Sequence, residues 1–296
     1  MPTEWSWPEG KRLALSIVVN VEEGSELNIK DGDKGPEPVD ELGVVLKAPI
    51  RNYGNESNYR YGIQAGFPRI AAQLEDFGVK ATFTAAAVAL ERAPHIARYI
   101  ADFGHEVCCH GWRWVHQFKL DQEAEREFIR KGVDSIEQSV GVRPYGWLSR
   151  YLHTADTRAL LAEAEFFYHM DDYSDDVPFW DQVQLPDQSW RNMVVLPYAL
   201  DSNDMKFWTA PALTADAWLQ YAIDTFDTLR EEAEQTPKMM SLGLHLRIIG
   251  RPGRIGALRQ FLQYVSTHDD VWIATRLNIA KHFSEVFPAP ALPEKS

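Results

Sequence analysis

The stretch Leu13-Ala14-Leu15-Ser16-Ile17-Val18-Val19-Asn20-Val21-Glu22-Glu23-Gly24 decides the fold. Its first nine residues are largely apolar and β-rich, the pattern of a strand buried on both faces in a parallel sheet. It closes on two adjacent glutamates. A second strand, Glu106–His110, ends on a histidine in Glu106-Val107-Cys108-Cys109-His110-Gly111-Trp112-Arg113-Trp114. A third apolar segment delivers His245 in Ser241-Leu242-Gly243-Leu244-His245-Leu246-Arg247. Ionisable residues at several strand ends are how an α/β barrel assembles an active site, because the strands converge while the loops diverge. Two buried neighbouring carboxylates are costly unless something neutralises or uses them. The chain therefore reads as an enzyme.

Outward from these strands the elements alternate. After a polar stretch from Gly24 to about Tyr61, the pattern predicts a helix over Phe67–Phe77, ending at Gly78. Strand Lys80–Ala85, helix Ala89–Phe103 and strand Glu106–His110 follow. Asp121 is positioned to cap a helix to about Val140, with Gly141 after it. Strand Tyr145–Leu148, helix Thr154–Glu165 and strands Phe167–Met170 and Met193–Leu196 come next, the last after an irregular acidic and aromatic stretch. Thr214 opens a helix to about Glu234. The pattern closes with strand Lys238–Leu246, helix Pro252–Thr267, strand Val271–Ala274 and helix Arg276–Val286. Such alternation implies parallel strands and right-handed crossovers. An open doubly wound sheet would carry a Gly-rich phosphate loop after its first strand, where this chain has Glu-Glu-Gly, so a single (β/α) barrel is favoured. No linker divides residues 1–296. The catalytic core is expected over about 8–287, with a proline-rich, extended tail over 288–296.

Composition narrows the function classes. The 296 residues are 45% hydrophobic, ample for a sizeable core, and carry a formal charge of −13. That charge speaks against nucleic acid and against an anionic membrane surface. The start, Met1 to Pro8, lacks the basic region and apolar core of a signal peptide, and no apolar run approaches the roughly 18 residues of a membrane helix. The only two cysteines, Cys108 and Cys109, are adjacent, a poor geometry for a disulfide. A cytoplasmic enzyme is expected.

Each ionisable residue has an ordinary explanation: a solvated acidic strand end for Glu22 and Glu23, a backbone-satisfied His110, a half-buried strand-capping His245. If both glutamates stayed in the strand they would point to opposite faces. Three such strand ends in order make the joint coincidence improbable.

The motifs Asn20-Val21-Glu22-Glu23-Gly24, Gly104-His105-Glu106 leading to His110-Gly111-Trp112, Gly141-Val142-Arg143-Pro144 and Leu244-His245 resemble the successive motifs of the polysaccharide deacetylase superfamily. Together with Asp201-Ser202-Asn203-Asp204-Met205 and His245-Leu246-Arg247-Ile248-Ile249-Gly250-Arg251-Pro252, they are closest to its branch of metal-independent allantoinases and cyclic imide hydrolases. The likeness covers about residues 8–287. It implies a deformed seven-stranded barrel and a homo-oligomer, dimer or tetramer. Superfamily deacetylases pair two aspartates at the first motif, one a base and one a metal ligand, where this chain has Glu22 and Glu23. Their second metal-binding histidine is replaced here by Trp114. Only Glu23 and His110 remain as ligands, one fewer than a catalytic zinc normally has, and His116 could substitute only if the segment after His110 bends unusually, so no cofactor is expected and zinc is the alternative.

Hydrolysis without a metal needs a carboxylate base, and a neighbouring carboxylate would raise its pKa. By resemblance Glu22 is that base, Glu23 occupies the former ligand position, and His245 is the acid for the leaving nitrogen. His110 and His245 can donate to the oxyanion, and Arg247 can hold a carbonyl or an anionic substituent. The aromatic residues Trp112, Trp114, Trp147, Tyr151, Phe179, Trp180 and Trp208 crowd the same loops and suit a flat ring, although core packing is the commoner role for any one of them. Trp112, Trp114, Trp147, Arg150, Asn203 and Arg247 are the expected substrate contacts. Asp171, Asp172, Asp175 and Asp176 read as turn-forming or solvated. The loop Trp147–His153 lacks the Gly- and Thr-rich character of the allantoinase branch, so the ring need not be allantoin. The expected activity is hydrolysis of a small cyclic amide. N-deacetylation of an amino sugar or glycan and a catalytically inactive binding protein are the alternatives.

Overall fold

The computed structural model describes residues 5–46, 48–209 and 211–293. Met1–Glu4, read above for a leader, and the last three residues of the tail lie outside that range. β1 (Leu13–Val21) is buried at every position. It pairs in parallel with β2 (Thr82–Ala85) and β8 (Lys238–His245), and β9 (Val271–Ile273) joins its first three residues. Beyond β2 the sheet runs through β3 (Glu106–Cys109), β4 (Gly146–Trp147), β5 (Tyr168–His169) and β7 (Trp190–Val195), all parallel, and β6 (Phe179–Gln184) adds an antiparallel edge to β7. This curled, mostly parallel sheet is the expected deformed barrel, with nine strands among the described residues rather than seven. It is not closed by pairing of β6 with β8. Instead the chain after β7 lies along the β8 edge, where Asn203 bridges to Gly243.

Helices pack outside the curl: α1 (Tyr53–Tyr61), α2 (Phe67–Asp76), α3 (Ala87–Arg92), α4 (Pro94–Asp102), α5 (Gln122–Val140), α6 (Thr157–Glu163), α7 (Ala215–Glu232), α8 (Ile255–Val265) and α9 (Arg276–Val286). The expected caps form: Asp121 accepts from the Ala124 amide at 2.9 Å, and Gly141 takes the left-handed conformation at φ 86°. The expected helix Ala89–Phe103 is two, because Pro94 has no N–H to continue it and begins α4 instead. α1 lies in a stretch assigned no element. It is polar, with only Asn55 and Tyr59 buried, so it lacks an apolar stripe, and Asn52 caps it. The β6 strand was likewise hidden in an irregular acidic and aromatic stretch. The described part of the tail lies against β6 and β7: Gln182 donates to the Ala291 carbonyl at 3.0 Å and Asn192 to that of Pro290 at 2.9 Å.

Register places the site. Asn20 pairs with His245, Ala85 with Cys109, and Cys109 with Trp147. Glu22, His110 and His245 therefore leave the sheet at the same end. Beneath them Asn20 accepts from Thr84 Oγ1 at 2.6 Å and donates to the Leu244 carbonyl and the Tyr198 hydroxyl, which ties the central strands together.

Candidate active site

β1 stops at Val21, and the following turn, closed by the Ser25 amide donating to the Glu22 carbonyl, requires the left-handed Gly24 at φ 91°. The two glutamates consequently do not point to opposite faces as an unbroken strand would make them. Both meet Arg247. Its Nη1 donates to Glu22 Oε2 at 2.9 Å and to Glu23 Oε1 at 3.2 Å, and its backbone amide also donates to Glu23 Oε1, at 3.1 Å. Glu23 Oε2 accepts from the Glu22 amide at 3.2 Å. α1 continues through a π-helical turn, Gly62–Gly66, laid directly on this ensemble. A Cβ on Gly62 would lie 2.7 Å from Glu23 Oε1, and one on Gly66 would lie 1.9 Å from the Leu246 carbonyl oxygen, so close approach demands glycine at both.

The other oxygen of Glu22 faces both histidines. His245 Nε2 lies 3.3 Å away and His110 Nε2 3.6 Å away. Each histidine is oriented from behind. His110 Nδ1 lies 2.6 Å from the Leu148 carbonyl, which can only accept, so the proton sits on Nδ1. His245 Nδ1 lies 2.6 Å from Asp204 Oδ1, while Asp204 Oδ2 accepts from the His245 and Ile249 amides at 2.7 and 3.1 Å. Glu22, Glu23, His110, Asp204, His245 and Arg247 are all buried.

Their charges interlock. Burial works to raise the Glu22 carboxyl, yet the charges of His245 and Arg247, with the His245 and His110 rings facing it, hold it well below the usual carboxylate range. Burial pushes the Glu23 carboxyl up, against the pull of Arg247 and with help from the Glu22 charge. The elevated carboxyl is thus Glu23, and not the Glu22 to which the base role was assigned, because Glu22 takes most of the ion pairing. Burial would lower His245, but the charges of Glu22 and Asp204 push it up to about 10. His245 is an imidazolium between two carboxylates.

Among the expected substrate contacts, Arg247 lies within this cluster and Trp114 borders it: the Arg247 guanidinium carbon is 5.5 Å from the Trp114 ring centroid. Arg150 also stacks on Trp114, 3.7 Å from its centroid, and its fork engages Glu37 at 3.0 and 2.5 Å. Asn203 donates to Tyr198 Oη and accepts from the Met205 amide, starting the short helical turn that carries Asp204. One expected contact, Trp147, has no exposed surface to offer a substrate. Trp147 is fully buried between Phe128 and Phe166, with its indole N–H given to Ser149 Oγ, so it faces the helical layer. Trp112 lies under Lys131 of α5, 4.8 Å from its ammonium. Asp172 forms the expected turn with Ser174, whereas Asp171 is buried and accepts from the Ser149 amide and hydroxyl. Sequence reasoning did not nominate Asp204 or Tyr59. Asp204 stood next to the nominated Asn203, and its spacing from His245 carries no linear signal.

The residues do not fit the superfamily's metal. Both Glu23 oxygens are engaged by N–H donors. Trp114 offers no ligand atom, and His116 turns its Nδ1 to the Arg150 carbonyl at 2.8 Å. Among the described residues no group of three His, Cys, Asp or Glu side chains is arranged to hold a metal ion.

A curled parallel sheet with carboxylate and histidine groups converging at one end defines a hydrolase-type α/β site. Residues 58–168 match the polysaccharide deacetylase family. A Schizosaccharomyces pombe protein named "Putative polysaccharide deacetylase" is 33% identical over 96% of this chain and 94% of its own. The chain belongs to the polysaccharide deacetylase family. Its fold also superposes on the crystal structure of PuuE allantoinase, at 38% identity and TM-score 0.90, over 96% of this chain and 94% of that one. A probable polysaccharide deacetylase from Pseudomonas aeruginosa PAO1 matches equally, at 38% identity and TM-score 0.90, over 96% and 95% of the two chains. These relationships support a hydrolase of carbon–nitrogen bonds other than peptide bonds. Among the described residues no helix is long and apolar enough to cross a membrane.

Proposed function

We propose that this protein hydrolyses a C–N bond of a small cyclic amide, a ureide or imide. The observation that carries this reading is the Glu22–His245–Asp204 chain: an imidazole ring held between two buried carboxylates. Glu22 takes a proton from the attacking water. The water oxygen adds to the ring carbonyl, and the tetrahedral intermediate collapses as His245 gives its proton to the departing nitrogen. Ring opening leaves a carboxylic acid and a free N–H group. Asp204 holds the imidazole in the donating orientation and stabilises its charge. The likeness to an allantoinase supports a ring substrate, and the engagement of both Glu23 oxygens by N–H donors supports hydrolysis without the superfamily's metal.

Alongside stands N-deacetylation of an amino sugar, favoured by the family match and the Pseudomonas aeruginosa neighbour. Steady-state assays on allantoin, hydantoin, succinimide and an N-acetylated sugar separate the two. Turnover of at least one ring and none of the sugar is expected; turnover of the sugar alone replaces this reading with deacetylation.

A further inference from the structure

Arg247 is the least explained member of the cluster. Its Nη1 is shared by Glu22 and Glu23, but its Nη2 is buried and has no hydrogen-bond partner. The guanidinium carbon lies over three ring faces, 4.2 Å from the centroid of Tyr59, 5.0 Å from Trp208 and 5.5 Å from Trp114. Stacking of this kind uses the face of the guanidinium and leaves its edge N–H groups for in-plane acceptors. Even the backbone is held, since the Arg247 amide also donates to Glu23. A buried cationic N–H left without an acceptor is expensive, and such an atom in a native site calls for an explanation. Trp208 also packs edge-on against His245, with ring centroids 5.8 Å apart, so the cage and the acid share a wall.

We propose that Arg247 is the fixed cation that polarises the scissile carbonyl, with its free Nη2 donating to the ring oxygen and following it into the tetrahedral intermediate. The inference rests on the cyclic-amide reading. Its electron balance is complete within the site: the new C–O bond forms from water, whose proton goes to Glu22. The carbonyl π pair moves onto the oxygen held by Nη2, and returns as the C–N pair leaves and takes the His245 proton. Glu23 acts as a positioning residue, since its two oxygens hold the Arg247 amide, Nη1 and the Glu22 amide. In this arrangement a side-chain cation beside the first-motif carboxylates supplies the oxyanion stabilisation. The fork and its stacked face are what the site uses, so lysine, a compact point charge, cannot replace it.

The test is Arg247→Lys, assayed on whichever ring the panel identifies, with folding checked by near-ultraviolet circular dichroism. A fall in kcat of about 10²-fold or more, with KM changed little, is expected from loss of a preorganised oxyanion donor. A kcat within about threefold of the parent, or a loss confined to KM, overturns the proposal while leaving the cyclic-amide reading intact. If the lysine variant does not fold, isotope-edited infrared spectroscopy of a carbonyl-labelled ring bound to Glu22→Gln decides the matter. A downshifted carbonyl stretch relative to water is expected, and an unshifted band overturns the proposal. Failure of every ring to bind or react defeats the cyclic-amide reading, and this inference with it.

Discussion

Asp204 Oδ1 lies 2.6 Å from His245 Nδ1, and the same carboxylate takes the His245 backbone amide on its other oxygen. Ring and main chain of one histidine are thus fixed by one side chain, carried on the segment that covers the open edge of the sheet. The relationship makes the placement of the His245 proton depend on how the curl is completed.

Asp204→Asn should retain the hydrogen bonds in part and lose the charge. His245 then loses one of the two carboxylates that hold its pKa near 10. Turnover should fall by about 10²-fold, and the alkaline limb of the pH–rate profile should move to lower pH. A pH profile coincident with that of the parent would mean that Asp204 serves folding alone.

Glu22→Gln removes the base while keeping the shape of the side chain and leaving Arg247 paired with Glu23. A loss of about 10²-fold or more in kcat with an intact fold is expected. Because the Glu22 carboxyl is held below its ordinary value of 4.5, the parent's acid limb should lie below that pH, so activity stays level through mild acidity. An acid limb near neutrality would assign the base to another group.

The His245 proton also bears on stability. Its pKa is about 10 in the fold against an ordinary 6.5, so the folded chain binds this proton more tightly than the unfolded one. The contribution is full below pH 6.5, declines above it and is lost as pH rises through 10. Denaturant unfolding should therefore show the parent's advantage over His245→Asn shrinking between those limits, by an amount on the order of a few kcal/mol. Glu22 runs oppositely: its contribution is present above its ordinary 4.5 and lost as pH falls through its depressed native value. A constant gap across the alkaline window would show that His245 is not an imidazolium in the fold.

The periodic parts of the chain announced themselves. The apolar run Leu13–Val21 and the strands ending before His110 and at His245 are marked by composition, and parallel register then brings their ends together. α1 and β6 were hidden because one is polar throughout and the other is a partly exposed edge strand. Trp147 looked like a binding residue because strand-end aromatics and core aromatics read alike in one dimension; only its packing against Phe128 and Phe166 separates them. Which of Glu22 and Glu23 has its carboxyl raised depends on where a guanidinium from the far end of the chain arrives, which no local pattern reports.

The central claim is that carboxylate, imidazolium and guanidinium carry out the hydrolysis in place of the superfamily's metal. It is tested most directly by the chelator dependence of kcat/KM for the preferred ring, measured with elemental analysis of the same protein. Activity unchanged by exhaustive chelation, in protein holding well under one equivalent of transition metal, is the predicted result. One zinc per chain, with activity lost on chelation and restored by zinc, would contradict the account.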